Sequence, residues 1–132
     1  MTHKVVIDAN VWIRFARTQN IRPLTERLFL YNIRPYANNY LLSEIFDALI
    51  NNGWATEKAA EKVISFIRKI CEISVVPAVY RLSPDEKDNY LFDLAVKNNC
   101  DCIISDDLAL LSFSIKPVPV ITTNWFLKHF PV

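Results

Sequence analysis

The stretch Val5-Val6-Ile7-Asp8-Ala9-Asn10 decides how the rest of the chain is interpreted. A run of β-branched residues near the amino terminus predicts a buried central strand. In open α/β sheets, the carboxyl end of such a strand faces the crevice where ligands bind. Asp8 ends the predicted strand, so its carboxylate either caps the following helix or takes part in chemistry.

Composition limits the classes of protein that the chain can belong to. The 132 residues are 52% hydrophobic and 22% charged, which predicts a single globular domain over residues 1–132. No apolar run reaches the ~18 residues of a membrane helix, and the few residues before Val5 leave no room for a signal peptide. We therefore expect a cytoplasmic protein without membrane contact.

Cysteine and glycine usage exclude several cofactor sites. Three cysteines without a C-x-x-C pair predict reduced core thiols rather than a structural zinc site. Gly53 is the only glycine, and both a dinucleotide fingerprint and a P-loop need several. Any phosphate must therefore be handled through metal ions or side chains.

Hydrophobic periodicity predicts strands that alternate with helices. We expect Pro35 to end a helix, which leaves only Tyr36-Ala37 for a short second strand. Pro119 predicts that the last strand, residues 118–121, is an edge strand or begins at that point. The alternation indicates an α/β fold with a mainly parallel sheet.

Five acidic side chains are predicted near the carboxyl edge of that sheet. They are Asp8, Glu44, Asp88, Asp106 and Asp107. Each has a structural alternative: helix caps for Asp8 and the Asp106-Asp107 pair, a favourable helix dipole for Asp88, and an arginine partner for Glu44.

The acidic residues carry more information together than singly. Converging carboxylates repel one another and raise each other's pKa, and a cation among them relieves this. Oxygen ligands favour Mg²⁺ or Mn²⁺, which activate water and stabilise charge on a phosphodiester. The pattern therefore predicts metal-dependent phosphodiester hydrolysis.

Charge is unevenly distributed along the chain. Five arginines lie between Arg14 and Arg34, and seven acidic residues lie between Asp85 and Asp107. This suits a polyanionic substrate drawn toward metal-bound carboxylates, and Arg14 and Arg17 are candidates for steering an RNA backbone. Solvated helix faces explain the arginines equally well.

Four segments, in this order, resemble the PIN-domain nucleases, and most of all the toxin components of prokaryotic toxin–antitoxin modules. They are residues 5–11, Ser43-Glu44, residues 88–95 and residues 102–111. The resemblance extends from about Lys4 to Trp125. The first segment alone is weakly specific, whereas the ordered set is strongly so.

The resemblance implies a three-layer α/β/α sandwich and a Mg²⁺- or Mn²⁺-dependent endoribonuclease. The family's ligand positions match Asp8, Glu44, Asp88 and one of the final pair. The family pattern Thr-x-Asp puts Asp107 at the ligand position and Ser105 in place of the threonine. Asp106 departs from that pattern and leaves open which of the two binds metal.

The resemblance also implies partners and a supporting residue. Asn10 matches a polar position that helps to hold the site. Such toxins are often homodimers, inhibited by a small antitoxin protein that inserts near the acidic residues. Candidate interface residues, for which core packing is the commoner fate, are Phe29, Tyr31, Trp54 and Phe66.

We therefore expect an endoribonuclease in which Asp8, Asp88 and Asp107 bind one or two ions and Glu44 is a ligand or orients water. One alternative is a non-catalytic PIN-fold module that acts through a protein partner. Another is a phosphoaspartate protein, which would need a lysine near the carboxylates. Lys116 is the only late candidate for that role.

Overall fold

The computed structural model describes residues 3–75, 89–112 and 116–132. Strands and helices alternate through these ranges. They are β1 (His3–Ile7), α1 (Ala9–Arg17), α2 (Arg22–Leu30), β2 (Ile33–Ala37), α3 (Asn39–Asn51), α4 (Glu57–Ile70), β3 (Glu72–Ile73), α5 (Asn89–Lys97), β4 (Cys102–Ile104), α6 (Leu108–Leu111), β5 (Val120–Ile121) and α7 (Thr123–His129).

The strands form one parallel sheet in the order β3-β2-β1-β4-β5. β1 is central, as its apolar run predicts. Ile7 at the end of β1 lies beside Ile104 at the end of β4. The residues after both strands therefore emerge together at the carboxyl edge, where the ligand crevice of an open α/β sheet lies.

Two apolar cores cover the two faces of the sheet. Val5 and Ile7 face the core built with α1 to α4, whereas Val6 faces the core built with α5. This alternation follows from the two-residue period of a strand. The predicted three-layer fold with a parallel sheet is thereby confirmed.

Local sequence signals place several helix ends correctly. The side chain of Asn38 accepts from the Leu41 amide at 2.8 Å and begins α3. Thr56 accepts from the Ala59 amide at 3.1 Å and begins α4. Gly53 follows α3 with φ of 69°, a conformation that glycine adopts without strain.

The expectation for Pro35 is wrong. The preceding helix already ends at Leu30, and Pro35 lies inside β2, where it pairs with Val5. β3 pairs only with Tyr36 and Ala37. At Pro35 the strand therefore has a ladder on one side only, and proline is tolerated where one side of a strand is unpaired.

Other predicted features agree with the structure or lie outside it. β5 is an edge strand, as Pro119 predicted, although it begins at Val120. All three cysteines are free, and burial raises the pKa of the Cys71 and Cys100 thiols to about 12. The capping-box sequence at Ser83 lies outside the described residues. Over the described ranges, no helix has the length and apolar character to cross a bilayer.

Candidate active site

Asp8 and Ser105 meet at the carboxyl edge because β1 and β4 are neighbours. The Asp8 amide donates to the Ile104 carbonyl at 2.9 Å, which continues the ladder between the strands. The Ser105 hydroxyl then donates to Asp8 Oδ2 at 2.7 Å. Asp8 occupies the N-cap position of α1, but its side chain makes no capping bond. The carboxylate therefore faces the site rather than the helix.

Burial dominates the electrostatics of Asp8, which is only 6% exposed. Loss of water raises the pKa of this carboxyl above its ordinary value of 3.8. Hydrogen bonds from Ser105 and the Ala9 amide lower it, and the charges of Asp107 and Asp106 raise it again. Ionised Asp8 thus lies in an environment that favours an added positive charge.

Ser105 connects two of the predicted site carboxylates. Its hydroxyl oxygen accepts from the Asp107 amide at 3.1 Å while the hydroxyl donates to Asp8. Asp107 caps α6, since its Oδ1 accepts from the Ala109 amide at 2.8 Å. The capping alternative for Asp107 is therefore correct, and it uses one of the two carboxylate oxygens.

Asp106 points toward the last helix. Its Oδ1 accepts from the Thr123 amide at 2.9 Å, and its Oδ2 accepts from the Thr123 hydroxyl at 2.7 Å. The Arg14 guanidinium lies 3.4 Å from the same Oδ2. Both oxygens of Asp106 thus hold α1 and α7 to the acidic edge.

Glu44 enters the site from α3 and finds a different partner from the expected arginine. The Tyr90 hydroxyl donates to Glu44 Oε2 at 3.0 Å. Burial, followed by the charges of Glu44 and Asp8, raises the pKa of Tyr90 far above its ordinary value. Tyr90 therefore stays protonated as a donor between these two acidic side chains.

The remaining candidates have separate positions. Asp88 lies outside the described residues. Asn10 is exposed in the first turn of α1. Arg17 lies away from the carboxylates, with its guanidinium carbon 4.9 Å from the centroid of the Trp54 ring.

Sequence reasoning missed two polar residues that the structure brings into this region, and it gave no role to a third, the buried Asp93. Tyr90 and Thr123 hold Glu44 and Asp106, and Asp93 is buried in α5 at 5% exposure. Asp93 could have been recognised as an acid within the apolar stripe of a predicted helix. Nothing in local spacing marks Tyr90 or Thr123, because their partners are distant in sequence.

The atoms that could bind a metal ion at the carboxyl edge of the sheet are oxygens. Asp8 and Asp107 share the cleft through Ser105, and oxygen donors suit Mg²⁺ or Mn²⁺. Within the described ranges, no three histidine, cysteine or acidic side chains are arranged to hold a metal ion. The described carboxylates could therefore supply only part of the ligands of a hard cation.

The sheet is parallel, and carboxylates follow the central strand β1 and its neighbour β4 at the carboxyl edge. These features define a class of α/β proteins with an acidic cleft at that edge. Within that class, residues 4–109 match the family model described as "PIN domain". The chain belongs to the PIN-domain family. No curated protein matches the sequence significantly.

Two solved structures share the fold at low sequence identity. One is VapBC2 from Rickettsia felis bound to a DNA fragment from their promoter, with 9% identity, a TM-score of 0.65, and coverage of 90% of this chain and 98% of that one. The other is PAE2754 from Pyrobaculum aerophilum, with 14% identity, a TM-score of 0.64 and coverage of 98% of both chains.

Proposed function

We propose that residues 1–132 form one domain that acts as a Mg²⁺- or Mn²⁺-dependent endoribonuclease, the toxin of a toxin–antitoxin pair. The observation that carries the proposal is Asp8, a buried carboxylate with a raised pKa whose cleft also contains the charges of Asp107 and Asp106. An enclosed negative charge of this kind is stabilised when a cation binds beside it.

The carboxylate set fits a divalent ion if Asp88 completes it. Asp8 and Asp107 would be ligands, with Asp88 as the third, and Glu44 would bind the ion or orient water. Asp106 is the weaker candidate because both of its oxygens bond to other residues. The ion would supply a water of lowered pKa and stabilise charge on the phosphodiester.

The chain's own residues would organise the reaction around that ion. Ser105 holds the carboxylate of Asp8 and the backbone of Asp107 in fixed relation. Tyr90 keeps Glu44 oriented through a neutral hydroxyl. Arg14 lies at the mouth of the acidic cleft, where it would attract the RNA backbone.

The proposed partners follow from family likeness. The resemblance to toxin components supports a small antitoxin and a homodimer. The structural similarity to a chain of VapBC2 is in keeping with such a pair, although at 9% identity that similarity concerns the fold.

The direct test is cleavage of a mixed RNA pool by the wild type and by Asp8→Asn, each with Mn²⁺ and with EDTA. We expect cleavage by the wild type with Mn²⁺ only. We expect a loss of at least about 100-fold in Asp8→Asn, the scale on which fixed electrostatic groups act in catalysis.

Arg34→Gln is the matched preparation control for contaminating nuclease. Arg34 lies beside Lys4 near the amino ends of the strands and pairs with Glu72, so this variant should cleave like the wild type. Equal cleavage by Asp8→Asn and Arg34→Gln would refute the site. A protein that neither cleaves RNA nor binds Mn²⁺ would support the non-catalytic binding module instead.

A further inference from the structure

A strip of cationic and aromatic side chains leads away from the acidic edge. Arg14 contacts Asp106 at its start, and Arg17 follows one helical turn later on α1. The Arg17 guanidinium lies over the ring of Trp54, in the loop between α3 and α4. Trp54 is 40% exposed, so its indole is accessible to a ligand.

The strip continues onto α4 across a groove of about 300 Å³. Ala16, which precedes Arg17, lines this groove together with Lys62 and Phe66. Phe66 is 40% exposed. The groove therefore places a second cation and a second exposed ring across from α1, the helix that carries Arg17.

Over its first two turns, the exposed surface of α4 is divided by charge. Lys58, Lys62 and Phe66 recur every four residues and share the side that faces the groove. Glu57 and Glu61 have the same spacing on the other side. The side of α4 that borders the groove is thus cationic.

Beyond Arg14, which pairs with Asp106, the cations of this strip lack acidic partners among the described residues. Arg22 pairs with Glu26, and Arg34 pairs with Glu72. Arg17, Lys58 and Lys62 form no ion pair with any residue that the structure describes. Unneutralised cations beside exposed rings are the features by which proteins bind single-stranded nucleic acid.

We propose that the Arg17–Trp54 pair is a base-stacking subsite for a single-stranded segment of RNA. A base stacks on the paired indole and guanidinium, and Lys62 contacts the backbone beyond it. Arg17 lies about 13 Å from Asp8 along α1, so the stacked base lies a few nucleotides from the bond at the acidic cleft. This inference rests on the proposed ribonuclease function and adds where the substrate is held.

The test measures binding rather than cleavage. A fluorescent single-stranded RNA oligonucleotide is titrated in EDTA with Asp8→Asn as the parent, so that the RNA stays intact. Trp54→Ala should weaken binding about 5- to 100-fold, the range of one stacked base. Trp54→Phe should restore most of the affinity, because phenylalanine keeps a stacking face.

Trp125→Ala is the matched control. Trp125 is 44% exposed on α7, close to the 40% of Trp54, and lies outside the strip. It should leave the affinity within about twofold of the parent. Thermal melting of every variant checks folding. We expect Trp54→Ala to fold, because the hydrogen bond from the Trp54 backbone amide to the Leu49 carbonyl does not involve the side chain.

Salt dependence separates stacking from charge. Trp54→Ala should leave the slope of log affinity against log salt unchanged. Lys62→Gln should reduce its magnitude by about 0.7, the value for one phosphate contact on a single strand. Arg17→Gln should also lower affinity, whereas Arg34→Gln should change neither quantity.

Two results would overturn the inference in different ways. If Trp54→Ala binds as tightly as Trp125→Ala while the wild type still cleaves RNA, the subsite is wrong and the ribonuclease assignment stands. That result would mark the strip as a protein-binding surface. If the parent binds no RNA and the wild type cleaves none, both proposals are wrong.

Discussion

At the scale of single residues, the site depends on the ionisation of Asp8. Its carboxylate receives the Ser105 hydroxyl at 2.7 Å, yet burial outweighs that bond and raises the pKa above 3.8. An acid whose pKa is raised by folding binds its proton more tightly in the folded chain than in the unfolded one. Ionised Asp8 therefore costs stability in the absence of a cation.

This cost predicts how stability depends on pH. Below pH 3.8 both states hold the proton and the cost is absent. As pH rises from 3.8 through the raised pKa of the folded state, the unfolded chain releases its proton first and the wild type loses stability. Above that window the loss is complete and constant.

Asp8→Asn isolates this effect because asparagine is nearly isosteric and still accepts from Ser105. In EDTA at pH 7 we expect the variant to melt at a higher temperature than the wild type, and the difference to shrink as pH approaches 3.8. Denaturant unfolding across this pH range provides the measurement. A variant less stable than the wild type at pH 7, with a difference independent of pH, would contradict the raised pKa.

At the scale of secondary-structure elements, Asp106 and Asp107 hold two different helices. Asp107 caps α6 with one oxygen, whereas Asp106 fastens α7 through both atoms that Thr123 offers. Phe126 on α7 then packs into the core at 1% exposure. Asp106 thus has a structural role, which leaves Asp107 as the better candidate ligand.

The two substitutions to asparagine should have opposite effects. Asp107→Asn should barely alter stability, since asparagine caps as well as aspartate, but should abolish stabilisation by Mn²⁺. Asp106→Asn should lose up to about 1 kcal/mol, because the Arg14 ion pair is lost while the Thr123 hydroxyl can accept from the new amide, and should keep the Mn²⁺ response. Melting curves with and without Mn²⁺ test both, and the reverse pattern would make Asp106 the ligand.

The sequence predicted a feature correctly wherever that feature depends on the residues of a single strand or helix. The ends of β1 and β4, just before Asp8 and Ser105, follow from apolar runs, and the meeting of these two residues follows from parallel pairing. Pro35 was misjudged because its tolerance depends on how short the neighbouring β3 is. That is a property of the sheet and not of the local sequence.

Contacts between distant elements could not be predicted in this way. Tyr90 reaches Glu44 across 46 positions, and Thr123 reaches Asp106 across 17. Each bond depends on how two distant segments pack against each other, which no local pattern specifies. Sequence therefore identified the acidic residues but not the neutral donors that orient them.

At the scale of the whole molecule, the arginines do not form one basic end. Arg14 lies on α1 beside Asp106 and Arg17 lies one helical turn further along α1, whereas Arg34 lies in β2 and pairs with Glu72. The charge asymmetry along the sequence is thus partly neutralised in the fold. Within the described ranges, positive charge that no ion pair neutralises remains in the strip, at Arg17, Lys58 and Lys62.

A bound ion should stabilise the whole chain, because only the folded state brings the carboxylates together. Mn²⁺ at a hundred times its dissociation constant would contribute about 2.7 kcal/mol. For a domain of this size, that raises the melting temperature by on the order of 10 °C. Calorimetric melting in EDTA and in Mn²⁺ measures the change.

Two comparisons control this experiment. Arg34→Gln should respond to Mn²⁺ like the wild type, and Asp8→Asn should show no response. Matching the ionic strength with potassium chloride removes the effect of general screening. An equal rise for the wild type and Asp8→Asn would place the ion elsewhere on the molecule.

The pairing of Asp8 with Ser105 also sets when the site can exist during synthesis. The two residues are 97 positions apart, and β4 is among the last strands to leave the ribosome. A nascent chain that ends before β4 carries Asp8 and Glu44 but lacks the strand that places Ser105 and Asp107 beside Asp8. Fragments from translation that stops before β4 would therefore lack the complete candidate site.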